Sequence, residues 1–526
     1  MNKKQSRDAL IKGVVGKVAT SKEAIKEANA VPEPTHSMLG GGIGYKLDDK
    51  LHLLTVLNTY NFTDSYYKSS SEFISTLCNL IEKVAMEDPE FVTKAIVYSR
   101  CCGSGLRSIT QLASVILLPI IRNTPLAKKL FSKWDKKNGK GGMIYRPDDM
   151  KAIQDLWKML GNGIVLPNSM KKGFREVIES LDSYSLLKYK KYIIDISNLV
   201  HPNPKKSKAT VEVDGEVIPT ISAIMSGKNV SADTWETGLS DVGQVVADLE
   251  VEGEAKEEAL RVGKREVFLQ LLQEDKMGYL AMIRNISNIL KNASSSNDEI
   301  ISLLCSRIQE GERIRSAKIM PHQLINAYLH AEDKRVVEAL DKAIKVAMVN
   351  FSEVITGKVA ILLDVSGSMH KIIKEAAAIT SILYNALADR ASLFIFAERG
   401  EKSKIAPSKF SATFYNILNG FTGGGTNLED GLRVIKNDPV TYDRIIIISD
   451  NEANRGYCVT MYKEYIKTKN SPKIYSVDLA GYGETSLPIE GKVRLYYGKT
   501  FAMFDDMIMD EFNPMSHIDR VNQLEL

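Results

Sequence analysis

The chain has 526 residues, of which 44% are hydrophobic and 25% charged, and its net charge is +4. At about 150 residues per domain that length calls for two to four units, and the composition excludes a mostly disordered or fibrous chain. The longest nearly apolar run, Leu112 to Ile121, is about half of a membrane span and contains Pro119.

No secretory signal is expected, because MNKKQSRDALIKG has no apolar core. Five cysteines without CxxC spacing support neither a disulfide framework nor a zinc site. A reducing, cytoplasmic setting is the simpler expectation.

In chain order, the first 350 residues predict helix after helix. Apolar residues recur at three and four from Leu51, over Phe73–Val84, over Phe268–Leu290 and over Val336–Phe351. Gly and Pro clusters at 102–105, 138–142 and 202–204 punctuate them. Many short helices without a fixed period predict an α-solenoid of degenerate helical hairpins. Residues 205–265 read as less regular, with a possible hairpin in VEVDGEV and an acidic run, DLEVEGEAKEEAL.

Near residue 356 the pattern changes. Lys358–Val365, 391–397, 444–450, 473–479 and 493–498 predict strands. Lys371–Arg390, Asn427–Lys436, Tyr457–Lys469 and Phe501–Phe512 predict helices. Alternating β and α predicts a doubly wound parallel sheet over 356–526, following a helical unit over 1–355.

Charge is unevenly spread. Residues 121–210 hold 19 Lys and Arg against 8 Asp and Glu, an excess of +11, while residues 351–526 hold 20 against 22. Such a block suits a polyanion; the alternative is a solvated helical face with scattered lysines.

Three loops of the second unit carry oxygen donors: Asp364-Val365-Ser366-Gly367-Ser368, Gly423-Gly424-Gly425-Thr426 and Ser449-Asp450-Asn451-Glu452. Doubly wound folds bind ligands at the C-terminal ends of their strands, where Asp364 and Asp450 are expected. Asp364, Ser366, Ser368, Thr426 and Asp450 would form an all-oxygen site for a hard divalent cation, Mg²⁺ first, Mn²⁺ or Ca²⁺ next. The alternative is a turn in which Ser366 or Ser368 caps the next helix.

The three loops together resemble the metal-ion-dependent adhesion site of von Willebrand factor A domains. The resemblance implies a binding module whose metal is completed by an acidic group from a partner. The first 340 residues resemble the TROVE module of the Ro autoantigen family. The matching words are Tyr66-Tyr67, SRCCGSGLRS (99–108), LPNSMKKGF (166–174), LLKYKKYIIDISNLVHPNP (186–204), TWE (234–236), MGYLAMIRNISNI (277–289) and SAKIMPHQLINAY (316–328).

That resemblance implies a ring of HEAT-like helical repeats closed by the A domain, with 205–265 as a divergent insertion. It implies binding of small noncoding Y-like RNAs on the outer surface and of single-stranded RNA ends in a central hole. An exonuclease or another protein is an expected partner through the A domain; neither membrane nor DNA is. On the outer surface it points to Lys171, Lys172, Arg175 and His201, with Lys188 and Lys190 as further candidates. These two are offset by two and so lie on different helix faces, and at most one is expected to contact RNA. Arg100, Arg107, Arg284 and Arg315 are candidates for the hole, with structural ion pairs as the alternative for each.

No Ser-His-Asp grouping can be argued, no His sits in HExxH, and the glycine triplet at 423–425 lacks the following GK[ST] of a phosphate-binding loop, so no catalytic role is expected. RNA hydrolysis at the metal would need a second metal and a general base. The competing non-enzymatic reading is a protein-interaction scaffold whose A domain grips an acidic partner. Salt-dependent RNA binding separates the two.

Overall fold

The computed structural model describes residues 21–526 apart from 161–164, 233–234, 249–251, 296, 311–312, 315–322, 325–326, 329–330, 469–470 and 499–501. The first part is built of short helices in sequence: Asp49–Thr59, Ser70–Glu87, Pro89–Cys101, Arg107–Ile121, Pro125–Leu130, Asp148–Met159, Asn168–Glu179, Ser183–Lys188 and Lys190–Val200. Their starts are fixed by local chemistry. The Asp48 side chain accepts the Leu51 N–H, Ser69 and Glu72 form a reciprocal capping box, and Asp88 caps a helix whose first residue is Pro89.

The second part carries a six-stranded sheet in the order Val493–Tyr497, Lys473–Asp478, Arg444–Ser449, Val359–Asp364, Ala391–Phe396, Gly400–Lys402. All neighbours are parallel except the last pair. The two central strands are buried on both faces, which is why they read as unbroken apolar runs. Ile361, Leu363, Ile446 and Ile448 face one core, with Ile379, Leu383 and Phe504. Ala360, Leu362, Ile445 and Ile447 face another, with Leu432 and Tyr462.

A third core joins the helices of residues 47–230 to Tyr482, Leu495, Tyr497, Val521 and Leu524 of the second part. Near the start of the chain, His36–Ser37, Ile43–Lys46 and Glu484–Thr485 make a small sheet that links the two parts again.

The structure departs from the sequence reading in several places. Residues 205–265 hold the expected hairpin, Thr210–Val213 with Glu216–Pro219, but are otherwise largely helical: Thr220–Met225, Trp235–Asp248 and the beginning of Gly253–Gln273. The run expected over Phe268–Leu290 breaks into Gly253–Gln273, Tyr279–Arg284 and Ile286–Asn292. Asp275 adopts φ 55°, which ends the first of these helices. Val336–Phe351 is likewise two helices, Lys334–Ala347 and Val349–Val354. No helix among the described residues is long and apolar enough to cross a membrane.

Candidate functional site

The central strands end side by side, with Leu363 paired to Ile448. Asp364 therefore lies next to the Ser449-Asp450 turn. Asp364, Ser366, Ser368, Thr426 and Asp450 are all buried, none more than 6% exposed. The Asp364 carboxylate accepts the Ser366 N–H at 2.9 Å and the Ser449 hydroxyl at 2.6 Å. The Ser366 and Ser368 hydroxyls lie 3.2 Å apart, and Ser368 also hydrogen-bonds Asp450. Asp450 accepts the Glu452 N–H through Oδ1, while its buried Oδ2 has no hydrogen-bond partner.

The glycine loop is stitched to both neighbours. Gly367 donates to the Gly424 carbonyl at 2.9 Å and Gly423 to Val365 at 3.0 Å. Asn454 receives the Thr426 N–H on its side chain at 2.8 Å, and the Thr426 carbonyl accepts from Asn454 and Arg455. Gly424 turns at φ 95°, which an L side chain rarely tolerates.

Burial first, then the nearby Asp450 charge, pushes the Asp364 carboxyl up to about 7, and burial raises Asp450 as well. Among the described residues no Lys or Arg pairs with either. Two carboxylates, one of them with an orphaned oxygen, and three hydroxyls are the kind of donor set a hard divalent cation takes, so the residues fit such an ion. Asp364 and Asp450 would supply charge, and Ser366, Ser368 and Thr426 neutral oxygen. Among the described residues no group of three or more His, Cys, Asp or Glu forms a metal cluster; this set relies on hydroxyls instead.

Sequence reasoning missed what lies over these loops. Gly40 donates to Glu452 Oε2 at 2.8 Å, and Leu39 to Glu484 Oε1 at 2.8 Å. His36 Nε2 meets Glu484 Oε2 at 2.5 Å. Tyr67 reaches Ser368 with its side chain, and its ring meets Tyr482 edge-on at 5.6 Å. Lys371 donates to the Ser65 carbonyl at 3.0 Å. The oxygen-rich face is thus covered by the chain's own early residues. The glycine triplet 40–42 and Tyr66-Tyr67 were the available signals, but neither names its distant partner.

The basic candidates fall on several elements. Lys171, Lys172 and Arg175 share the helix Asn168–Glu179, which buries Met170, Phe174, Val177 and Ile178. Lys172 is exposed and Lys171 half-buried. Arg175 donates to the Val200 carbonyl at 2.8 Å, and Glu179 accepts the Asn203 N–H at 2.8 Å. These two contacts clamp the end of the helix Lys190–Val200, where exposed His201 turns at φ 50° as its cap. Lys188 is exposed; Lys190 reaches the carbonyls of Lys228 and Val230 at 3.2 and 3.4 Å.

Arg107 and Arg100 converge on buried Asp149. Arg107 Nε lies 2.8 Å from it, and Arg100 binds both carboxylate oxygens at 3.1 Å. Asp149 also accepts from Gln111, Tyr145 and Arg146, and Arg107 pairs with Asp148 at 2.9 Å. The words around SRCCGSGLRS therefore build a structural ion-pair knot. Arg284 is exposed at the end of Tyr279–Arg284, on a different helix from the Lys171 group. Arg315, most of the SAKIMPHQLINAY word and Thr234 of TWE lie outside the described residues.

Comparison with known proteins adds three findings. Residues 251–385 match the TROVE domain, a stretch that runs past residue 356 through the first central strand and the Asp364 loop. The chain is similar to telomerase protein component 1 of Mus musculus, 20% identical over 346 residues, and to its Rattus norvegicus counterpart, 20% over 365. These matches cover 53% and 57% of the chain and 13% of each relative, so the chain spans a small part of their length. The fold is similar to the crystal structure of the Deinococcus radiodurans RO (RSR) protein, with a TM-score of 0.55 and 15% identity, over 88% of this chain and 100% of that one.

Proposed function

We propose that this protein binds noncoding RNA through the basic helical surface of residues 121–210, and acts by binding rather than catalysis. The observation that carries the reading is the excess of +11 in that block: residues 121–140 hold seven Lys and Arg against one Asp and residues 201–210 three against none, while the adjoining helices Asn168–Glu179 and Lys190–Val200 each add +1. Phosphate backbones are recognised by such clusters, with affinity set by the number of cations engaged. The TROVE match and the fold shared with the RO protein support it.

In this reading the short helices form a HEAT-like ring, and residues 356–526 form the adhesion-type A domain that closes it. Small Y-like RNAs lie along Lys171, Lys172 and His201, with Lys188 beside them. Single-stranded ends of misfolded RNAs enter the central hole near Arg284. Arg175, Lys190 and Arg107 position the surface through their protein contacts. The cation site takes Mg²⁺ and an exonuclease docks on the A domain, for RNA quality control in the cytoplasm.

Sequencing the RNA that copurifies with the protein tests the reading. Enrichment of small structured noncoding RNAs is expected, and recovery of none above a control would refute it.

A further inference from the structure

The helices Ser183–Lys188 and Lys190–Val200 are almost one. Tyr189, at φ −102° and ψ 20°, still donates to Ser185 at 3.2 Å, and Ile193 donates to Tyr189 at 3.0 Å. Residues four apart therefore stay on one side through the joint. Leu186, Ile193, Ile196 and Val200 take the buried side. Tyr184, Lys188 and Tyr192 make a stripe on the other, with Tyr184 52% and Tyr192 40% exposed.

Cations lie beside Tyr184 and beside Tyr189 at the joint. Lys188 Nζ sits 5.7 Å from the Tyr184 ring centroid, and Arg146 lies 5.8 Å from that of Tyr189 at the joint. A phenol ring left half in water forgoes burial. Ammonium and guanidinium groups beside it suit a ligand that brings both flat faces and negative charge. Unstacked nucleotides have both, since every base offers a π-face and every linkage a phosphate. A double helix hides its base faces and could use only the cations.

We infer that Tyr184 and Tyr192 are base-stacking positions for a single-stranded RNA segment, with Lys188 between them to meet its phosphates. This rests on the RNA-binding reading above and adds to it which strand state the surface takes. The excess of +11 across residues 121–210 favours this polyanion over an apolar protein partner.

The test is filter binding with an oligouridylate of about 12 nucleotides and a blunt RNA duplex of equal length. The full chain is compared with the Tyr184→Leu/Tyr192→Leu pair and with Tyr184→Phe/Tyr192→Phe. The leucine pair should lose about tenfold or more in oligouridylate affinity, keep its salt slope and leave duplex binding unchanged. The phenylalanine pair, which retains both rings, should bind like the unaltered chain. If the unaltered chain binds and the leucine pair binds as tightly, the stacking surface is refuted while the RNA reading stands. Equal losses on duplex and single strand would also refute it. If the unaltered chain binds no RNA at any salt concentration, the RNA reading falls, and this surface with it.

Discussion

Gly40 donates its backbone N–H to the Glu452 carboxylate at 2.8 Å, joining residues 412 positions apart. The contact brings the beginning of the chain onto the loop that follows the central strand Arg444–Ser449. A surface read from sequence as open to a partner is, in the folded chain, covered by residues 36–46 and by Tyr67.

Gly42 makes that covering depend on a missing side chain. A Cβ there would stand 2.0 Å from the Ala453 carbonyl oxygen, far inside contact distance. Gly42→Ala should therefore destabilise the fold by about 1–3 kcal/mol, the range for overpacking a close contact. Thermal unfolding of the variant against the unaltered chain measures it. An unchanged midpoint would mean that residues 36–46 do not press on this loop in solution.

Divalent cations should stabilise the chain through Asp364 and Asp450. At about a hundred times its dissociation constant, Mg²⁺ should add roughly 2.7 kcal/mol over a chelator-treated sample. Asp364→Ala should abolish that difference, while RNA affinity stays within about twofold, because distant sites act nearly independently. The readouts are differential scanning calorimetry with and without Mg²⁺, and filter binding. A metal response that survives in the variant would place the ion elsewhere. A large loss of RNA binding by the folded variant would contradict the division of labour.

Acid should loosen the base of the sheet. Glu511 is partly buried, which raises its pKa, but it accepts from Arg444 at 2.8 and 2.7 Å, from Lys473 at 2.7 Å and from Tyr475. The balance lowers the carboxyl from 4.5 to about 2. A folded value below the unfolded one gives stability that is complete above about pH 4.5 and lost as pH falls toward about 2. Glu511→Gln should remove on the order of 2 kcal/mol at neutral pH, after allowance for solvent screening. It should also flatten the stability profile across that acid window. A variant with the same slope of unfolding midpoint against pH would mean that other carboxylates carry it.

The sheet was legible because its physics is local. Strands buried on both faces must be apolar throughout, so Val359–Asp364 and Arg444–Ser449 stood out, each leading into an aspartate at a predictable end. The DxSGS, GGGT and SDN loops could be paired in thought because parallel strands end on one side. The helix break after Gln273 was not legible, since Asp275 turns left-handed inside an otherwise apolar repeat. Nor was the fate of the arginines. Arg107 meets Asp149 across 42 residues, and Arg175 meets the Val200 carbonyl across 25. A cation in a sequence shows its charge but not its partner, so a basic count cannot tell a phosphate contact from a clamp. The hairpin over the Asp450 loop, His36–Ser37 with Ile43–Lys46, escaped because its strands, like the Glu484–Thr485 strand beside them, are too short to show a period.

The central claim is that RNA binds the basic helical block, and salt dependence at Lys171 and Lys172 tests it most directly. Each phosphate contact contributes roughly 0.7 to 0.9 log units of affinity per tenfold change in salt. Lys172 is exposed and Lys171 half-buried on the helix Asn168–Glu179, so replacing both with alanine should cost within about 0.5 kcal/mol of stability each. Filter binding at several salt concentrations should show weaker binding across many RNAs and a salt slope flatter by about one to two units. Unchanged affinity together with an unchanged slope would contradict the account and send the RNA to another surface.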